Sequence, residues 1–188
     1  MGESITELRF HGRGGQGAKT AAQLLAEAAL EEGKEIQTFP EYGPERTGAP
    51  MQVFARISDK KITTFAPVVN PDIVLVIDPT LIGPINVTVG LSNNGILIVN
   101  TNQTPNQIKE LTKFNGQIYT VDATKISIEL LGKNLPNMPI LGALIKKREI
   151  VSMKAIENVL REHFEEKIGK EQTQRNVDAI KRAYDEVR

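Results

Sequence analysis

Ile5-Thr6-Glu7-Leu8-Arg9-Phe10-His11, followed by Gly12-Arg13-Gly14-Gly15-Gln16-Gly17 and then by Ala18 to Glu32, is the stretch that decides the fold. Its first segment alternates apolar and polar residues and predicts a strand. The glycine-rich segment predicts a tight turn, because glycine alone enters positive φ without steric cost. Ala18, Ala21, Ala22, Leu25, Ala28 and Ala29 then recur on one face, which predicts a helix over 18–32. Small residues on that face let the helix lie close to a sheet, and Gly33 is placed as its left-handed cap. A strand, a turn and a helix in direct succession open an α/β domain.

Outward from this unit, Glu35 to Phe39 reads as a short strand and Pro40 to Pro50 has neither helical nor strand period. Met51 to Ile57 and Lys61 to Phe65 flank Ser58-Asp59-Lys60 and predict a hairpin. Asp72-Ile73-Val74-Leu75-Val76-Ile77-Asp78 is continuously apolar between two aspartates, the pattern of a strand buried on both faces. Gly95 to Asn100 predicts a second such strand and Gln117 to Val121 a third. After Asp122 the pattern turns helical, with one face at Ile156, Val159, Leu160, Phe164 and Ile168 and another at Val177, Ile180, Tyr184 and Val187. With no internal repeat or linker, the expectation is one domain over 1–188. It would be three-layered α/β/α, with a mixed, partly parallel sheet and a helical carboxyl-terminal region.

Composition narrows the function. Lys and Arg number 23, as do Asp and Glu, for a formal charge of zero over 188 residues. That balance argues against a nucleic-acid partner, which requires a basic face to displace phosphate counterions. No apolar run reaches the roughly 18 residues of a membrane span. Cysteine is absent, so the chain offers no thiolate nucleophile and no thiolate ligands for zinc or an iron–sulfur cluster. The two histidines, His11 and His163, are too few and too far apart for a histidine metal site. Any redox or metal centre would come from a partner. Met1-Gly2-Glu3-Ser4-Ile5 lacks the basic-then-apolar layout of a secretion signal, which makes the cytoplasm the expected location.

The glycine turn carries the chemistry. Free N–H groups at the start of the helix, and the positive end of its dipole, would face a ligand brought close by the glycines. The expected ligand is a phosphate or pyrophosphate, with Arg13 or Lys19 as a charged contact. Gly12, Gly14 and Gly17 satisfy the G-x-G-x-x-G spacing of dinucleotide sites, but the acidic residue that reads a ribose is missing from the end of the second strand, Gln37-Thr38-Phe39. No Gly-Lys-Ser/Thr stands where a Walker loop needs it. The rigid segment Pro40 to Pro50 would converge on the turn if the first two strands were neighbours. Arg46 in it suits phosphate recognition, and Tyr42 fits packing as well as ligand contact.

Phe10 to Gly17, then Phe39 to Pro50, then Asn70-Pro71-Asp72-Ile73-Val74 and Asn137-Met138-Pro139-Ile140-Leu141-Gly142-Ala143-Leu144 closely resemble the gamma subunits of the 2-oxoacid:ferredoxin oxidoreductases, most of all those acting on pyruvate (pyruvate synthases). The resemblance implies a subunit inactive alone, within a heterotetramer of alpha, beta, gamma and delta subunits. The complex reversibly converts pyruvate and coenzyme A to acetyl-CoA and carbon dioxide and reduces ferredoxin. It implies that thiamine pyrophosphate and [4Fe–4S] clusters sit on the partner subunits, and that this chain contributes to coenzyme A binding and to assembly. By position, Gly12, Arg13, Gly14, Gly15, Gln16 and Gly17 become the phosphate cradle, and Arg46 with Thr47 faces the same ligand. No catalytic residue and no metal ligand is expected here. Three other readings stay open: the same subunit of a 2-oxoisovalerate or 2-oxoglutarate enzyme, an autonomous dinucleotide-binding dehydrogenase, and an assembly domain whose turn holds nothing.

For the remaining polar residues structural roles are expected. His11 would be packed or hydrogen-bonded, Asp78 and Asp122 would each cap the next turn or helix, and Lys146-Lys147-Arg148 would complement a helix end.

Overall fold

A computed structural model describes residues 5–41 and 48–188. Six strands, β1 (Thr6–Arg13), β2 (Glu35–Glu41), β3 (Pro50–Ser58), β4 (Ile73–Val76), β5 (Ile96–Asn100) and β6 (Gln117–Val121), form one sheet in the order β2-β3-β1-β4-β5-β6. The strands β1, β4, β5 and β6 are mutually parallel, while β3 lies antiparallel to both β1 and β2. The helices are α1 (Ala18–Glu31), α2 (Pro105–Thr112), α3 (Ala123–Leu131), α4 (Pro139–Lys147), α5 (Met153–Ile168) and α6 (Lys170–Glu186). The mixed α/β sheet and the helical carboxyl end are as expected.

The hairpin is not. Met51 to Ile57 forms β3, but its partners are β1 and β2, and Lys61 to Phe65 makes no strand. That segment instead crosses the polar face of β2 and β3, where Thr64 and Ala66 carbonyls accept hydrogen bonds from Gln37 (3.1 Å) and Arg56 (2.5 Å). The buried Arg56 therefore draws the chain across the sheet; it also pairs with Glu7 at 2.7 Å and stacks on Phe39. With β3 inserted between them, β1 and β2 are not neighbours.

One sheet face, with Leu8, Phe10, Val53, Ala55, Leu75 and Ile98, buries against α1, α4 and the helices beyond. The opposite face packs Val74, Val76, Leu97 and Val99 under α2 and the irregular stretch 79–94. That second layer is thin, and it covers Arg9, whose guanidinium donates to the Val87 (3.0 Å) and Val89 (2.6 Å) carbonyls. From Pro139 to Ile145 every residue of α4 is buried, as an all-apolar helix must be, because β5 lies on one side of it and α6 on the other. Gly142 permits that closeness, since a Cβ there would stand 2.0 Å from the Ile180 carbonyl oxygen.

Side-chain caps start three of the helices, α2, α3 and α5. Asp122 accepts from the Lys125 amide and Ser152 from the Ala155 amide. Thr104 and Gln107 complete a reciprocal capping box before α2, with Pro105 at its first position. Among the described residues no helix is long and apolar enough to cross a membrane.

Candidate functional site

The parallel strands end together at the edge that carries the glycine turn. Asn100 joins the ends of β4 and β5 to α3: its amide donates to the Ile77 carbonyl (2.8 Å) and its oxygen accepts from the Thr124 amide (3.0 Å). Asp78 has the larger task. Its Oδ2 accepts from Arg13 Nε at 3.0 Å and from Gln16 Nε2 at 2.8 Å, and its Oδ1 accepts from the Thr80 amide and hydroxyl. Burial pushes the Asp78 carboxyl up, but the bonds from Thr80 and Gln16 and the Arg13 charge outweigh it and hold it below its ordinary value. Arg13 also donates to the Gly48 carbonyl (3.1 Å) and Thr80 Oγ1 (3.0 Å).

Arg13 and Gln16, expected to touch a ligand, are thus turned inward, and they fix the turn from below. Gln16 Oε1 accepts the Arg13 amide at 2.7 Å. The Gly14 amide donates to the Ala49 carbonyl (3.0 Å), and its carbonyl accepts from Gly48 (3.2 Å). The end of the 40–50 segment therefore meets the turn, carried there by β3 rather than by adjacency of β1 and β2. Gly12 sits in β1 against Ala18, where a Cβ would be at 3.4 Å. Tyr42, Arg46 and Thr47 lie outside the described residues.

What remains open is a run of amides. Among the described residues no acceptor meets the N–H groups of Gly15, Gly17, Ala18, Lys19 or Thr20, and no side chain caps α1. Gly15 and Gly17 take φ of +94° and +77°, both in the left-handed region. Successive free amides at a helix start form an anion-binding concavity.

The amides border a cleft of about 640 Å³, within the range of small-molecule sites. Its lining is largely apolar, from Leu131, Leu135, Met138, Phe164 and Ile168, with Lys133, Gln172 and Asn176 among its polar members. Nothing in the sequence marks these residues as parts of a site. They come from the α3–α4 connection and the facing ends of α5 and α6, and only tertiary packing joins them to the turn. Asn137 stands in the last of the blocks that carry the resemblance, and it closes the cleft beside Gly17. Its Nδ2 donates to the Gly17 carbonyl at 3.3 Å, and only 4% of the residue is exposed.

His11 is buried, as expected. Its Nε2 accepts from Arg9 Nε at 3.0 Å, which places the ring proton on Nδ1. Burial and the Arg9 charge push its pKa to about 3, against a smaller opposing pull from the Val87 backbone. Among the described residues no cluster of three or more His, Cys, Asp or Glu side chains could hold a metal ion, and without cysteine the chain has no thiolate for an iron–sulfur cluster.

Residues 7–186 match the family described as pyruvate ferredoxin/flavodoxin oxidoreductase. The chain belongs to that family. The resemblance to its gamma subunits is borne out by relatives that align over nearly their whole length. A pyruvate synthase subunit PorC of Thermotoga maritima is 50% identical over 97% of this chain and 94% of the relative. The common subunit gamma of pyruvate/ketoisovalerate oxidoreductases from Thermococcus litoralis is 44% identical over 96% of each. The crystal structure of pyruvate oxidoreductase subunit PORC from Thermotoga maritima superposes with a TM-score of 0.90 at 47% identity, covering 99% of this chain and 98% of that one. The same fold recurs in a 2-oxoglutarate:ferredoxin oxidoreductase of Magnetococcus marinus (TM-score 0.80, 20% identity), where 97% of this chain spans 31% of the other. As a member of this family the chain is a subunit of an oxidoreductase complex.

Proposed function

We propose that the chain is the gamma subunit of a pyruvate:ferredoxin oxidoreductase, and that its glycine turn holds the diphosphate of coenzyme A while partner subunits carry the electron chemistry. The observation that carries this reading is the set of amides without an acceptor among the described residues, Gly15 and the run Gly17 to Thr20, at the mouth of the cleft. Coenzyme A is an anion on an elongated arm and matches that arrangement. The Arg13–Asp78–Gln16 network supports it by holding the turn in shape before the ligand arrives, which lowers the ordering cost of binding. Arg46 and Thr47 belong to the same site in this reading, since Gly48 and Ala49, the next residues, are bonded to Gly14.

Residues 1–188 act as one domain in a cytoplasmic assembly with alpha, beta and delta subunits. Thiamine pyrophosphate and [4Fe–4S] clusters reside on those partners, and ferredoxin is the acceptor. The names of the Thermococcus relatives favour a second reading for the substrate, in which one gamma subunit serves both a pyruvate and a 2-oxoisovalerate enzyme.

Calorimetric titration of the assembled complex with coenzyme A tests the site. Gly15→Asp and Arg46→Ala are expected to weaken binding, and unchanged affinity in both removes the turn from the site. Ferredoxin reduction with pyruvate, 2-oxoisovalerate and 2-oxoglutarate identifies the substrate.

A further inference from the structure

The loops on the thin side of the sheet carry no charge. From Ile62 to Ile108 the only charged residues are Asp72 and Asp78, in a chain that is 24% charged. Asp78 holds the glycine turn, and the Asp72 carboxylate accepts the Glu7 amide at 2.8 Å. The strands β4 and β5 are buried and need no charge, but the loops 63–70 and 79–94 are largely exposed and have none either. Apolar side chains project from them instead: Phe65 is 89% exposed, Val69 65% and Val89 57%. The two loops adjoin, since Gly90 backs onto the Val69 carbonyl with no room for a Cβ. Beyond Val89 the surface runs into a shallow cleft bordered by Ile82, Ile85 and Leu111. On the other side of the sheet, α5 and α6 are laced with ion pairs.

The projecting residues stand on fixed backbone. Val68 and Val87 are buried beside them. Arg9 holds the Val87 and Val89 carbonyls from below, and Gln37 and Arg56 hold those of Thr64 and Ala66. Such a surface loses little freedom on contact. Depletion of charge together with a bare aromatic ring is the composition of an interface centre rather than of a solvated face.

We propose that the loops 63–70 and 79–94 dock the chain on another subunit of its oxidoreductase complex, with the Phe65 ring seated in an apolar pocket of that subunit. This rests on the chain's membership of a subunit assembly and is independent of the coenzyme A site. Charge identifies the facing surface. Neither loop offers a counter-ion, so a charge set opposite would be desolvated without a partner; the partner's face is therefore uncharged and apolar. Apolar faces of this kind belong to assemblies that stay together, as subunits of one enzyme do. The docked subunit also completes the layering of the sheet. One face of β1, β2 and β3 is covered by α1, while the other is crossed by the irregular 61–70 segment.

The test co-expresses the chain with the remaining subunits, one of them tagged, and follows the chain retained on the tag across a dilution series. Phe65→Ala is expected to raise the apparent dissociation constant about thirtyfold, the effect of removing one anchor side chain. Phe65→Asp/Val89→Asp is expected to abolish retention. Both positions are exposed, so circular dichroism melts of the variants should match wild type, and Phe65→Ala decides the matter if two aspartates disturb the loops. Lys154→Glu/Lys170→Glu, on the α5–α6 side, is expected to be retained like wild type. Wild-type retention of the Phe65 variants overturns the proposal and leaves the subunit reading standing. A wild-type chain that the tagged subunit fails to retain ends the subunit reading, and the proposal with it. If the wild-type chain alone sediments as a dimer that Phe65→Asp/Val89→Asp converts to monomer, the face binds a second copy and the proposal is refuted.

Discussion

Gly142→Ala tests whether α4 and α6 meet main chain to main chain. An added Cβ would lie 2.0 Å from the Ile180 oxygen, 2.9 Å from its carbonyl carbon and 3.0 Å from the Tyr184 nitrogen. All three are backbone atoms, so no rotamer change relieves the overlap and α6 itself must move. Alanine gains about 1 kcal/mol of helix propensity over glycine. Overpacking a buried contact costs about 1–3 kcal/mol and more where the neighbour cannot yield, which places this site at or above the top of that range. The net expectation is a loss of about 2 kcal/mol, or about 4–8 °C in Tm for a chain of this size. Circular dichroism melts of the two proteins measure it directly. A variant as stable as wild type, or more so, would refute the close approach of the two helices.

Asp78→Asn is expected to cost about 2 kcal/mol, because it removes the charge that Arg13 and Gln16 share. Differential scanning calorimetry reads that loss, and titration should show weaker coenzyme A binding as the turn loosens. Gly17→Ala must hold an L residue at φ +77° with its Cβ 2.4 Å from Asn137 Nδ2. It is expected to lower both stability and ligand affinity, and retention of both would disprove the Asn137 contact. His11 gives a pH signature. Its folded-state pKa is depressed to about 3, so the unfolded chain takes up the proton first and stability falls as pH drops below about 6.5. At pH 5 the loss is about 2 kcal/mol. Urea unfolding at pH 7 and pH 5 should show that drop in wild type and a much smaller one in His11→Gln; equal drops would mean the ring is not shielded as described.

The sequence is most legible where one residue pattern has one physical solution. The β-branched apolar runs at 73–77 and 96–99, each bounded by polar or turn residues, read as strands covered on both faces, and a small-residue stripe after four glycines reads as a helix lying close to them. The glycine turn and the capping roles of Asp78 and Asp122 are legible for the same reason. The expected hairpin does not form because alternation shows that Met51 to Ile57 is a strand without showing its neighbour. Pairing is decided by long-range contacts such as Arg56 with Glu7 and Ala66. The short helix α2 has a local signal in Thr104-Pro105-Asn106-Gln107, a capping box around a first-turn proline, but too few apolar residues to show a period. The apolar lining of the cleft has no such signal. Phe164 and Ile168 have the spacing of core residues, and their exposure to a ligand site depends on where α6 turns back at Gly169.

The Arg13 and Gln16 bonds to Asp78 span 65 and 62 positions of the chain, and the Asn137 contact with Gly17 spans 120. An engineer who transplants Gly12-Arg13-Gly14-Gly15-Gln16-Gly17 into another strand–helix junction would import a floppy hexapeptide. To work as a receptor it must travel with an aspartate at the tip of the adjoining parallel strand and an asparagine reaching in from the helical side, so the smallest portable unit is a three-point scaffold.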